Sequence, residues 1–421
     1  MANRGGRTWL RQVGADIKES TDASLLAGLR LVGLLYGRID RSLPIDQALR
    51  KAWSRRLPSH VGWRHAFGGV AYLLFMVLVV SGVLLSFYYR PSVDEAYHSI
   101  QYIATEVPFG WLLRDLHVWS ANLIVLALMA HMARVFFAGA YKPPRETSWL
   151  VGVLLLFGVL AFGATGYLLP WDQWAYWTTT EVMDVARSAP LIGGAAASFL
   201  TGDVFVSGAT LSRFFALHVI VLPWFVFGLL VLHFVVVRKH GVAPPPGLIE
   251  GDGPGVPFFP HHLLRIVIAS ALVLAIAISL AALFPRPIGD PATPFELPEN
   301  LISTWIVVDV SLGLIRYLGV WGFVGFSALG LLLVLLPLVD RGDAIRLRKR
   351  PVAAAIGLTF FLGFLLFWAL GSRVDSVAPS AGVEARILEE RAIPAPPSSE
   401  SAGGAEVEAE GAEAREEGPA E

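Results

Sequence analysis

The segment LHVWSANLIVLALMAH, residues 116–131, decides the fold, because it places His117 and His131 in one apolar run, 14 residues apart. A second run, LHVIVLPWFVFGLLVLH, residues 217–233, places His218 and His233 15 residues apart. In an α-helix 14 residues rise about 21 Å and end within about 40° of the same face, whereas 15 residues end about 60° away. Each run can therefore present one imidazole near each side of a bilayer core about 30 Å thick. The spacings predict two haems stacked inside a membrane.

The composition indicates an integral membrane protein. The 421 residues are 55% hydrophobic and 16% charged, with a net charge of −1, which differs from a soluble chain of this length. A lipid membrane is the expected surrounding, and no nucleic-acid partner is expected. The sequence contains no cysteine, which excludes disulfides, iron–sulfur ligation by this chain and thioether-linked haem. Any haem iron must therefore be held by histidine.

Seven stretches of about 20 apolar residues predict seven transmembrane helices. The predicted fold class is an all-α integral membrane protein, with a four-helix transmembrane bundle that holds two b haems and three further transmembrane helices. The predicted spans are residues 66–89, 114–137, 148–169, 214–237, 264–284, 318–339 and 351–371.

Lysine and arginine residues cluster in alternate loops, which predicts the orientation because basic loops stay in the cytoplasm. The N-terminal arm and the loops 134–147 and 341–350 are basic. We therefore expect a bacterial inner-membrane protein with a cytoplasmic N-terminus and a periplasmic C-terminus. His117 and His218 then share the outer level, and His131 and His233 share the inner one. Each pair would supply both axial ligands of one haem iron, without an open position for a reactant.

The chain divides into four predicted regions. Residues 1–62 form a cytoplasmic arm with an amphipathic segment, and residues 63–240 form the di-haem four-helix domain. Residues 241–371 form a three-helix domain. Residues 372–421, rich in Ala, Pro and Glu, cannot bury a core and are predicted to be a disordered periplasmic tail.

Small and basic residues accompany the histidines at matching intervals. Gly68 and Gly82 repeat the 14-residue interval on the first span, as Gly152 and Gly166 do on the third. Such glycines would leave room for a flat macrocycle, although close packing of helices through small residues is an alternative explanation. Three arginines near the histidines are candidate partners for haem propionates, with ordinary snorkelling as the alternative. They are Arg114, Arg134 and Arg213.

Several motifs occur in the order of a known family. They are Phe87–Pro91, Gly110–Arg114, Lys142–Glu146, Gly166–Gln173, Thr210–Phe214, Leu222–Pro223 and Ile288–Pro291. With them the chain resembles cytochrome b of the cytochrome bc/b6f family over roughly residues 58–371. The 15-residue interval resembles the b6 branch, and the last three spans resemble subunit IV joined to it in one polypeptide. Ala66 stands where b6 has the cysteine that attaches an extra haem, so no covalent haem is expected.

This resemblance implies a function. The chain would be the cytochrome b subunit of a bacterial bc-type quinol:cytochrome c oxidoreductase with two non-covalent b haems, in a homodimeric complex. Quinol would be oxidised at the outer face, with one electron passing to a Rieske iron–sulfur protein and a c-type cytochrome subunit. The other electron would reach quinone near the inner face, so that protons are translocated. Trp171 and Tyr176 are candidate wall residues of the outer quinol site.

One motif departs from the family. Members carry Pro-Glu-Trp-Tyr between the fifth and sixth spans, whereas this chain has Ser303-Thr304-Trp305-Ile306 there, with Trp305 as a third candidate wall residue. The nearest acids, Glu299 and Asp309, are candidate quinol proton acceptors, or else a solvated loop acid or a partner of Arg316. The missing glutamate keeps a second hypothesis open. In it the chain is a di-haem quinone-reactive membrane anchor of another respiratory complex, without electron bifurcation.

Overall fold

A computed structural model of the chain describes residues 56–244, 255–294, 296, 298, 305–342 and 344–371. In these residues the regular elements are helical apart from two short antiparallel strands, β1 Arg56–Leu57 and β2 Val256–Pro257. Seven helices in the described part of the chain are long and apolar enough to cross a membrane. The prediction of an all-α membrane protein with seven spans is thereby confirmed. The amphipathic segment predicted in the N-terminal arm and the acidic tail lie outside the described residues.

The helices follow one another with short connections. In chain order the helices of the described residues are α1 Phe67–Ser86, α2 Ala96–Thr105, α3 Gly110–Phe137, α4 Glu146–Tyr167, α5 Gln173–Ser188, α6 Gly193–Thr201, α7 Gly208–His240, α8 Leu263–Leu283, α9 Ile306–Leu318, α10 Val320–Val339 and α11 Pro351–Gly371. The helices that can span a membrane are α1, α3, α4, α7, α8, α10 and α11. A π-helical turn, Leu217–Val221, lies within α7, and another, Phe258–His262, leads into α8.

Among the described residues, four helices lie between the predicted spans and are too short to cross a bilayer: α2, α5, α6 and α9. Helix α5 begins after Asp172, whose carboxylate accepts a hydrogen bond from the amide of Ala175 and so caps the helix. The same carboxylate accepts from the amide of Gly289 at 3.1 Å. Burial raises the pKa of Asp172. This carboxylate therefore joins the start of α5 to the chain that follows α8.

The chain forms two compact units. The smaller consists of Met1–Ala66 and Pro244–Ala269, and in it β1 pairs with β2 while the guanidinium of Arg265 donates to the carbonyl of Val61 at 2.8 Å. The larger consists of Phe67–Ala243 and Ser270–Glu421. All four histidines of the predicted haem sites lie in the larger unit. The four predicted regions stay a prediction.

Within the larger unit the helices pack in pairs that determine which residues meet. Helix α1 lies along α3, and α4 lies along α7. The glycine-bearing helices are therefore the neighbours of the histidine-bearing helices. At one end of α3 and α4, Met132, Phe136 and Trp149 form an apolar cluster with Leu333 and Leu336 of α10, and the indole of Trp149 donates to the carbonyl of Leu333 at 2.7 Å.

A buried ionic cluster closes the same end. The ammonium of Lys142 lies 2.7 Å from Asp340 Oδ1, and the guanidinium of Arg350 lies 3.4 Å from Asp340 Oδ2. The hydroxyl of Tyr141 donates to the same carboxylate. Burial alone would raise the pKa of Asp340, but hydrogen bonds from Lys142, Tyr141 and Arg350 outweigh it and hold the pKa below its usual value. The cluster ties the loop after α3 to the ends of α10 and α11.

Candidate functional site

The four histidines lie in two pairs. His117 of α3 and His218 of α7 have ring centres 6.4 Å apart and ring planes inclined by 62°. His131 and His233, near the other end of the same helices, lie within electrostatic reach of each other. The four side chains are therefore paired as the predicted topology requires, His117 with His218 and His131 with His233. Their role as haem ligands stays a prediction.

The first pair has a geometry that suits an iron held between two imidazoles. A metal–nitrogen bond of about 2 Å on each side, with the half-width of each ring, requires ring centres about 6 Å apart. The observed 6.4 Å agrees with that requirement. All four histidines are half-buried. A bis-histidine haem fits this donor set.

Each of the four predicted glycines lies against one of these imidazoles. A β-carbon on Gly82 would come 3.2 Å from Cε1 of His117, and one on Gly166 would come 2.5 Å from Cε1 of His218. At the other level, the corresponding distances are 3.2 Å from Gly68 to His131 and 3.5 Å from Gly152 to His233. The glycines therefore let α1 and α4 approach the imidazoles closely. Contact between these glycines and a haem stays a prediction.

The π-helical turn Leu217–Val221 explains the 15-residue interval. In this turn the amide of Leu222 donates to the carbonyl of Leu217, five residues back. Pro223 follows at once and has no N–H to donate to the carbonyl of Val219. Because a π turn accommodates one extra residue, the interval behaves like one of 14 in a regular helix. The turn was not predicted from the sequence, and the available signal for it was Pro223, five residues after His218.

Two hydroxyl groups contact the histidines of the first pair. Ser81 Oγ lies 2.8 Å from His117 Nδ1, and Thr165 Oγ1 lies 3.2 Å from His218 Nδ1. Neither residue was identified from the sequence. Each of them directly precedes one of the four glycines, Gly82 or Gly166, and that position was the available signal.

The three candidate arginines have different surroundings. Arg114 donates to Asp115 Oδ1 at 2.8 Å and to the carbonyl of Arg286 at 2.8 Å. Arg213 donates to the carbonyl of Phe199. Arg134 lies within electrostatic reach of His131. Pairing of these arginines with haem propionates stays a prediction. A propionate bound to Arg114 or Arg213 would share the guanidinium with the hydrogen-bond acceptors named above.

Trp305 is inserted between α3 and α4. Its indole packs on the backbone of Gly163 so closely that a β-carbon there would overlap the ring, and its Nε1 donates to the carbonyl of Ala121 at 3.3 Å. The next amide, of Ile306, donates to Asn122 Oδ1 at 2.8 Å. Ala121 lies one turn after His117. Trp305, which lies in the segment that differs from the family motif, is therefore beside the His117/His218 pair.

The other candidates for the quinol site have different positions. Trp171 and Tyr176 are buried with ring centres 5.7 Å apart, in an apolar cluster that also contains Trp177 and Phe214. Asp309 lies in the first turn of α9, within electrostatic reach of Arg286. Glu299 lies outside the described residues. The roles of Trp171, Tyr176, Trp305, Asp309 and Glu299 stay predictions.

Comparison with known proteins gives consistent matches. The family model described as "Cytochrome b/b6/petB" matches residues 52–241. Cytochrome b6 of Gracilaria tenuistipitata var. liui is 41% identical over 214 residues, which are 51% of this chain and 100% of the relative. Cytochrome b6 of Acaryochloris marina (strain MBIC 11017) is 41% identical over 211 residues, which are 50% of this chain and 98% of the relative. A chain of the solved structure "Hyperthermophilic respiratory Complex III" superposes with a TM-score of 0.72 at 28% identity, covering 84% of this chain and 94% of that one.

Proposed function

The chain belongs to the cytochrome b/b6 family, and on this basis we propose that it is the cytochrome b subunit of a bacterial bc-type quinol:cytochrome c oxidoreductase. The observation that carries the proposal is that α3 and α7 bring their histidines together as two pairs, at two levels of the membrane-spanning helices. Two b haems bound there would supply one-electron transfer across the membrane. With both axial positions taken by histidine, neither iron would bind a reactant.

The residues around the histidines have distinct tasks in this proposal. The four facing glycines let the neighbouring helices lie close to the imidazoles. The irons would be held by His117, His218, His131 and His233. The apolar helices α1, α3, α4 and α7 would exclude water from the space between the pairs. The arginines near the ends of these helices would neutralise propionates. They are Arg114, Arg134 and Arg213.

Quinol oxidation would take place beside the His117/His218 level. Trp305 supports this location, because its ring packs on Gly163 and its indole reaches Ala121, one turn from His117. Asp309 follows Trp305 by one turn and lies within electrostatic reach of Arg286. A carboxylate at this place would accept a proton from the quinol hydroxyl. Glu299 is the alternative acceptor.

The proposed partners follow from the family and from the complex III likeness. They are a Rieske iron–sulfur protein and a c-type cytochrome subunit, in a homodimeric complex. The basic loops 134–147 and 341–350 support a cytoplasmic N-terminus in a bacterial inner membrane. Protons would then be released outside, at the His117/His218 level, and taken up inside.

A second candidate function has one observation in its favour. Residues 303–306 lack the glutamate of the family motif. A di-haem anchor that exchanges electrons with quinone for another respiratory enzyme, without dividing two electrons between two acceptors, would not need that glutamate.

A redox titration of the intact complex separates the two candidates. We expect two b haems in the optical spectrum and a Rieske signal by electron paramagnetic resonance in the same active preparation. An active complex with two b haems and no Rieske centre would contradict the first proposal and favour the membrane anchor.

A further inference from the structure

Ser81 and Thr165 occupy equivalent places on two different helices. Each directly precedes the glycine that faces an imidazole, on α1 for Ser81 and on α4 for Thr165. Ser81 Oγ lies 2.8 Å from Nδ1 of His117, and Thr165 Oγ1 lies 3.2 Å from Nδ1 of His218. The two contacts form one matched set around the first histidine pair.

The direction of these hydrogen bonds follows from the single proton of each hydroxyl. Ser81 donates to the carbonyl of Val77 at 2.6 Å, and Thr165 donates to the carbonyl of Ala161 at 2.7 Å. Because a hydroxyl has one proton and two lone pairs, each oxygen turns a lone pair towards its histidine. The imidazole must then be the donor, and Nδ1 carries the proton. The Nε2 lone pair of each ring is left for a metal.

Backbone carbonyls share the same protons. His218 Nδ1 lies 2.9 Å from the carbonyl of Phe162, three residues before Thr165. For His117 the backbone of Leu78, three residues before Ser81, interacts with the imidazole. The Nδ1 proton of His218 therefore has two acceptors, a hydroxyl and a carbonyl. Removing the hydroxyl weakens this interaction without leaving the donor unpaired.

The second level lacks this arrangement. Phe67 and Val151 precede Gly68 and Gly152, and neither side chain has a hydroxyl. Nδ1 of His233 is buried without a hydrogen-bond partner among the described residues. The two histidine pairs therefore differ in what supports the ring nitrogen that faces away from the metal.

We propose that Ser81 and Thr165 are positioning residues that lower the reduction potential of the haem held by His117 and His218. A hydrogen bond accepted from Nδ1 makes an imidazole a stronger donor through Nε2 and so stabilises the ferric state. The inference rests on the proposed function, because it requires a haem at this level. It adds that the two hydroxyl groups change the reduction potential at one level and not at the other.

The test is a redox titration of both haems in the purified complex carrying S81A, T165V or both substitutions. We expect the midpoint potential of the His117/His218 haem to rise, most in the double variant, while that of the other haem stays unchanged. The low-spin ferric signal of the first haem should shift in parallel. His131→Ala, which should leave only the first haem, identifies which potential belongs to which level.

Two controls distinguish the hydroxyl effect from a general disturbance. Ser81→Thr restores a hydroxyl and should return the potential towards the wild-type value. Ser86→Ala removes a hydroxyl on the same helix that donates to the carbonyl of Val83 at 2.7 Å, and it should shift neither haem.

Three results would overturn the inference. They are a double variant with both haems bound and both potentials unchanged, an equal shift at both levels, and loss of the first haem from T165V, in which the carbonyl of Phe162 remains as an acceptor. A wild-type complex without a haem at this level would instead contradict the proposed function itself.

Discussion

His218 packs against the bare α-carbon of Gly166, and a β-carbon there would lie 2.5 Å from Cε1 of the imidazole. The imidazole of His218 cannot turn away to make room for a β-carbon, because it is itself proposed to bind the haem iron. We expect Gly166→Ala to cost on the order of 1–3 kcal/mol by overpacking and to remove the haem at this level, as read from the reduced-minus-oxidised spectrum. Gly152→Ala is the matched control, since its β-carbon would meet His233 at an ordinary 3.5 Å. Equal haem loss in both variants would refute this explanation.

The pairing of histidines predicts selective haem loss. His131→Ala should remove the haem at the His131/His233 level and leave the haem at the His117/His218 level, because the two pairs share no ligand. Haem content and redox titration of the purified complex give the result. Retention of both haems would refute the assignment of ligands.

Trp305 packs on Gly163, and this contact should control the quinol site. Gly163→Ala would push the indole away from α4, and misplacement of a substrate-positioning residue lowers rates on the order of a hundredfold. We expect slow quinol oxidation with both haems bound and their potentials unchanged. Gly228→Ala provides the control, because its β-carbon would meet nothing within 4 Å. A normal rate in Gly163→Ala would separate Trp305 from the quinol site.

Asp309 and Glu299 are competing proton acceptors, and one comparison decides between them. Loss of a general base typically slows a reaction by a factor on the order of 10²–10⁴. If Asp309 is the acceptor, Asp309→Asn should slow quinol oxidation by about this factor and alter its pH profile, whereas Glu299→Gln should not. The reverse pattern would assign the role to Glu299, and normal rates in both variants would exclude both acids.

Asp340 should stabilise the fold at neutral pH. Its carboxylate faces the buried Lys142 and Arg350, and removing one member of such a cluster costs on the order of 3 kcal/mol. Because hydrogen bonds hold its pKa below the usual value despite burial, the stabilisation is complete above the unfolded pKa of about 4 and is lost as the pH falls through the folded pKa. We expect Asp340→Asn to lower the melting temperature at pH 7, and the difference from wild type to shrink below about pH 4.

Asp94→Asn removes an exposed acid and serves as the control for Asp340→Asn. The two variants should differ at pH 7 in the purified protein. An Asp340→Asn defect that persists undiminished in acid would show that the carboxylate charge is not its cause.

The features that sequence analysis predicted are those that repeat along one helix. Hydropathy located the seven spans, and helical periodicity placed His117 and His131 on one face. The contact of Trp305 with Gly163 was not predictable in this way, because it depends on the approach of α9 to α4. Lys142 and Asp340 are likewise 198 residues apart in sequence. Contacts between residues so far apart in sequence are seen only in the folded structure.

Ser81 and Thr165 lie between these two cases. Their position before a glycine is visible in the sequence, but hydroxyl side chains in apolar helices commonly bond to their own backbone. Only the placement of His117 and His218 shows that the oxygens have a second partner.

The π-helical turn at Leu217–Val221 bears on how this helix tolerates changes in length. An inserted residue in a regular helix turns everything beyond it by about 100°. Here the additional residue is absorbed within one turn, directly beside His218, and the remainder of α7 keeps its phase. We therefore expect deletion of one residue between His218 and Pro223 to keep both histidines facing α3. A helix with 14 residues between its two histidines and one with 15 would then differ by a single inserted or deleted residue, and both would present the imidazoles on the same face.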